Sequence, residues 1–88
     1  MLNDFKYNVK EMFNGKNDWI YKETDKKMVF IKRYRELDRF EMSYNKRRNG
    51  LDLCVPLNTD GLNYYCVVKS NMEEMVHKYL ENYESKLD

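Results

Sequence analysis

Two cysteines, one histidine and a few carboxylates are the side chains of this 88-residue chain whose types lend themselves to chemistry. A thiol or hydroxyl nucleophile needs a base beside it. His77 is the only imidazole, and the residue spacing around it puts it on the charged face of a helix, away from both thiols. Cys66 reads as a small core residue and Cys54 as a half-exposed strand residue, neither of them activated. Zinc fares no better, because eleven residues separate the two cysteines and one distant histidine completes no recognised ligand pattern. Glu73 and Glu74 are adjacent, so on a helix they diverge and make a solvated surface rather than an acid/base pair. The three glycines form no phosphate-cradling loop. The residues therefore predict no enzyme, no metal and no cofactor.

The pattern that invites a function is basic and aromatic. Residues 26–48 carry nine basic and three acidic side chains, whereas residues 1–25 carry four and five and residues 49–88 carry three and seven. The blocks sum to +6, −1 and −4, giving the net charge of +1 and a dipolar molecule suited to steering one charged partner. Within the basic block Lys32, Arg33, Tyr34, Arg35, Arg39, Lys46, Arg47 and Arg48 are interleaved with Phe40 and Tyr44. On a sheet, that alternation can set aromatic rings beside cations, a surface on which bases stack while cations hold phosphates. The competing expectation is that Phe40, Met42 and Tyr44 form a buried row, leaving the arginines and lysines to keep a sheet and its 45–49 turn soluble. A third uses Arg and Tyr as protein-binding anchors. Eight tyrosines exceed what a small core buries with every hydroxyl satisfied, so Tyr7, Tyr21, Tyr34 and Tyr65 are expected outside, with Trp19 joining them on the uncovered sheet face.

Hydrophobic spacing supplies the elements that must position these residues. Met72, Met75, Val76, Tyr79, Leu80, Tyr83 and Leu87 form one helical stripe, predicting a helix over 71–87 started by a capping box at Ser70/Glu73 or Asn71/Glu74. Phe5, Val9, Met12 and Phe13 predict a shorter one over 4–14, closed by Gly15. Alternation predicts strands near 19–23, 27–35, 38–46, 51–57 and 62–69, the last two joined by an Asn58-Thr59-Asp60-Gly61 turn. Phe30, Tyr34, Leu37, Glu41 and Tyr44 also fit a helix, but β-branched and aromatic content favours strands. In that hairpin Leu57 opposes Leu62 and Leu53 opposes Cys66. Cys54 then faces the other way beside Tyr65, and the thiols cannot bond. Pro56 should direct its nitrogen away from any ladder or lie at an edge. The whole is an α+β chain of one domain over 1–88, an antiparallel meander of four to five strands with both terminal helices packed on one face.

Forty-two per cent hydrophobic residues, one Pro and three Gly describe a chain that folds. No apolar run reaches membrane-spanning length, and Met1 to Gly15 is too polar for a signal peptide. Two thiols without a disulfide framework suit a reducing compartment, and the expected location is cytoplasmic. The absence of Ala and Gln beside ten Asn and eleven Lys suits a low-GC genome, phage, virus or mobile element. In size, charge segregation and lack of catalytic groups the chain resembles the small inhibitors that phages make against host defence systems, anti-CRISPR proteins among them, a likeness of style that transfers no site. The expected function is a non-enzymatic inhibitor of a host protein, acting through the Arg/Tyr sheet surface, Tyr65 included. The alternative is direct binding of single-stranded DNA or RNA by residues 26–48. A free first or last strand would also permit pairing with a partner's sheet, and an exposed first strand a homodimer.

Overall fold

A computed structural model describes residues 3–58 and 60–87, with α1 at Asn3–Met12, β1 at Trp19–Glu23, β2 at Met28–Lys32, β3 at Arg35–Asn45, β4 at Gly50–Pro56, β5 at Asn63–Val68 and α2 at Met72–Glu84. The five strands form one antiparallel sheet in the order β1-β2-β3-β4-β5, a meander in which every strand pairs with its sequence neighbours. Both helices lie on one face, so the α+β arrangement expected from the alternation is the one present.

Period-two alternation explains which face each residue takes. Phe30, Phe40, Met42, Leu53 and Val55 point under the helices and meet Phe5, Val9 and Phe13 of the N-terminal segment and Val76, Leu80 and Tyr83 of α2. Phe13 is the keystone, stacked on Phe30 at 3.9 Å and edge-on to both Trp19 and Phe40. Trp19 thus belongs to the core and not to the open face. Tyr21 also faces the helices, tilted on Phe30 beneath Lys10. Phe40 and Met42 are buried as the competing expectation had it, while Tyr44, at the end of the same row, is exposed and donates to Asn49 Oδ1.

The strand expected over 27–35 ends at Lys32. Arg33 and Tyr34 make a two-residue turn, with Tyr34 in the left-handed region at φ 65°, and β3 begins at Arg35 rather than 38. No Gly or Asn marks this turn, and an aromatic residue at positive φ is uncommon, which is why alternation ran through it. The register then jumps. Ile31 pairs with Arg39 but Lys32 with Arg35, so Glu36, Leu37 and Asp38 bulge out of the ladder. The bulge turns Asp38 inward to 1% exposure, where it accepts from the Tyr83 hydroxyl at 2.5 Å and the Gly61 N–H at 3.1 Å. It also explains Pro56: β3–β4 pairing begins only at Cys54, so the missing N–H of Pro56 interrupts no bond to β3.

Other local details depart from expectation. Asn71 is the N-cap of α2 but sits in a left-handed conformation without a side-chain cap, and Glu73 instead accepts from Asn8 of α1. The helices stop at Met12 and Glu84, two and three residues short of the expected ends. Gly15 takes its left-handed place at φ 80°. The β4–β5 register is as expected, with Leu53 against Cys66 and Cys54 against Tyr65, and both thiols are free. Thr59 of the connecting turn lies outside the described residues, as does Met1. Among the described residues no helix is long and apolar enough to cross a membrane.

Candidate binding face

Opposite the helices the sheet carries no further element among the described residues, and one row crosses four strands there: Val29, Glu41, Cys54 and Tyr65 are successive partners. Arg39 lies one step along β3 from this row and donates from Nη2 to the Tyr65 hydroxyl at 3.3 Å. Glu41 draws two cations toward it, Lys27 at 3.3 Å and Arg39 at 3.5 Å. The result is a shallow basin of about 540 Å³, floored by Cys54 and walled by Tyr65, Glu41, Asp52 and Arg48. Ser43 lies in it, on the row that links β3 to Asp52 and Val67. At the β1 side Ile20 and Ile31, which pair with each other, continue the surface as apolar side chains.

Burial of the thiols is the reverse of the expectation. Cys54 is 3% exposed because Tyr65 and its neighbours on the row close over it, while Cys66 stands half-buried on the edge strand. Burial pushes the Cys54 thiol up from its ordinary value, and burial does the same to Cys66. Tyr65, the register partner of Cys54 and 63% exposed, also has its phenol pushed up, chiefly by the thiol beside it. No imidazole joins them. His77 stands on the outer side of α2 with Nε2 3.1 Å from Glu81. Among the described residues no three His, Cys, Asp or Glu side chains gather in a way that could hold a metal ion.

The basic residues singled out by sequence do not form one patch. Arg33, Tyr34 and Arg35 sit at the β2–β3 turn and Lys46, Arg47 and Arg48 at the β3–β4 turn. The eleven residues of β3 separate the two groups by roughly 30 Å at the usual rise of a strand. Tyr34 is 91% exposed at its end, and Arg48 reaches the basin from the other. Lys46 lines a second hollow on the far side of Ser43, with Lys6 and residues 24–28. Lys32 is no part of any surface. Its side chain is on the helix side, 7% exposed, paired with Asp18 and held 5.4 Å over the Trp19 ring. Asp18 answers with a carboxyl held below its usual range by that hydrogen bond. Of the expected set, Arg39 and Tyr65 are joined by a hydrogen bond, and Arg48 shares the basin with Tyr65.

Sequence reasoning missed Glu41, Ser43 and Asp52 as members of the face. The signal was present, since residues 39, 41 and 43 alternate with the apolar row 40, 42 and 44 and must share the opposite side. No family model, no curated protein and no solved structure matches this chain.

Proposed function

We propose that the protein is a non-enzymatic binding protein whose uncovered sheet face occupies a surface of another protein, acting as an inhibitor by occlusion. The observation that carries this reading is the Arg39–Tyr65 pair standing over the Cys54 basin, flanked by apolar Ile20, Ile31 and Val67 and by charges of both signs. Arg and Tyr on a rigid strand are the residue types that anchor protein interfaces. A host protein of a defence or nucleic-acid-handling system is the partner class proposed, and two free thiols suit a cytoplasmic setting.

The same geometry argues against direct nucleic-acid binding as the first choice. Stacking platforms need several aromatics on the open face, and this face offers only Tyr65 among the described residues, because Phe40 and Tyr44 are on the other side. Glu41 and Asp52 stand where phosphates would have to pass. The two readings separate by fluorescence anisotropy with mixed-sequence single- and double-stranded oligonucleotides at low and physiological salt. The proposal expects no binding at either salt. Tight binding that weakens steeply with salt, and that falls in the Arg47→Glu, Arg48→Glu double variant, would overturn it in favour of nucleic acid.

A further inference from the structure

The sheet has two free edges, and they are built differently. At β1 the edge carries Lys22 and Glu23. Glu23 is tied to Lys6 and Lys10 of α1 and to the Tyr21 hydroxyl, so helix and charges guard that side. Among the described residues no comparable ion pair guards β5. Asn63–Val68 reads Asn-Tyr-Tyr-Cys-Val-Val, six residues without a charge or a proline. The Leu57 N–H bond to Leu62 O sets the phase of the β4–β5 ladder, so Leu62, Tyr64, Cys66 and Val68 bond inward. Asn63, Tyr65 and Val67 therefore turn their backbone N–H and C=O groups outward, where no described strand pairs with them.

From this edge we infer that the protein forms a homodimer by antiparallel pairing of β5 with β5 of a second copy, about a two-fold axis at Tyr65. Charge complementarity favours a second copy in this orientation. Asp60 lies in the turn before the strand and Lys69 follows it, so the antiparallel arrangement sets Lys69 of one copy at the end of the ladder where the other copy's Asp60 turn lies, and does so at both ends, whereas a parallel arrangement would align like charges. Between the ends no like charges meet, because the strand has none. The three outward residues of each copy pair as 63 with 67, 65 with 65 and 67 with 63. Every outward donor finds an acceptor, and the two sheets become one ten-stranded sheet. On the open side the exposed Tyr65 rings face each other across the axis, and on the helix side Tyr64 faces Cys66. The inference stands independently of what the open face binds.

Sedimentation velocity from micromolar to millimolar protein tests it. The expected result is a concentration-dependent species of twice 10.9 kDa. Tyr65→Lys, which opposes two ammonium groups at the axis, should weaken the dimer by about tenfold or more. Val67→Lys, which leaves the Arg39 and Cys54 contacts of Tyr65 in place, should weaken it likewise with an unchanged far-ultraviolet circular dichroism spectrum. Tyr7→Lys, at an equally exposed tyrosine of α1, should leave it unchanged. A monomer at millimolar concentration, or a dimer indifferent to both β5 variants, would overturn the inference.

Discussion

Tyr83→Phe isolates one hydrogen bond at the centre of the molecule. The phenol is 1% exposed, its ring packs edge-on to Trp19 at 5.5 Å, and its hydroxyl donates to Asp38 at 2.5 Å. Phenylalanine keeps the ring and its packing but takes away the donor. Asp38, equally buried, retains the Gly61 N–H at 3.1 Å on its other oxygen, so one carboxylate oxygen loses a partner in a place where water cannot readily replace it. A hydrogen bond to a charged group contributes about 1.5–3 kcal/mol, and that is the expected loss of unfolding free energy. In a domain of this size each kcal/mol moves the melting temperature by about 4–8 °C, so the change is large on any thermal scan. Urea unfolding followed by tryptophan fluorescence is the better assay, because Trp19 touches Tyr83 and reports on the same region. Asp38→Asn and the double variant close a cycle whose coupling should be about 1 kcal/mol or more. A Tyr83→Phe protein within about 0.5 kcal/mol of the parent, the range of an ordinary surface change, would refute the claim that the bulge of β3 is anchored through Asp38.

Further outcomes follow from the same packing. Maleimide should label Cys66 well before Cys54 as followed by mass spectrometry, both slowly at neutral pH and faster as pH rises because burial pushes both thiols up, and Tyr65→Ala should uncover Cys54 and raise its rate about tenfold. Glu23 has its carboxyl drawn down from 4.5 to about 2, first by the Tyr21 hydroxyl and then by Lys6. A carboxyl lowered on folding contributes stability that is present above its unfolded value and is lost as pH falls toward its folded value. The urea-midpoint gap between parent and Glu23→Gln should therefore close on acidification below pH 4.5. A gap that instead widens would contradict the assignment. Gly50→Ala should destabilise by about 1–3 kcal/mol, since a Cβ there would lie 2.9 Å from the Val68 carbonyl oxygen at the β4–β5 pairing, and a neutral result in urea would show that the strands can part to admit it.

Those parts of the fold that follow from periodicity were legible in the residues. The stripe through Val76, Leu80 and Tyr83 identified α2, and the alternation through Leu51, Leu53 and Val55 identified β4 together with its register against β5. What escaped were features without a local signature. Tyr34 turns the chain at positive φ with no glycine to announce it, and the bulge that buries Asp38 is stabilised by Tyr83, 45 residues away. Lys32 was read as a surface cation because its charge sits in a basic run, yet Asp18 and Trp19, fixed by a neighbouring strand, hold it inside. For the candidate site, Tyr65 and Arg39 were visible as residue types, but their contact across β4 depends on three strands being in register at once. The basic stretch looked continuous only because sequence distance hides the length of β3, which carries its two ends to opposite ends of the sheet.

The claim that the open face is the binding surface is tested most directly by site-specific photo-crosslinking in cells that contain the partner. A photoreactive residue is placed at Ser43, in the basin, or at His77, on the outer side of α2. An adduct to a second copy is recognised by its mass of twice 10.9 kDa and so does not confuse the outcome. The account predicts a discrete protein adduct from position 43, absent from position 77 and reduced by Arg39→Glu. Equal labelling from both positions, or nucleic acid in place of protein on residue 43, would contradict it.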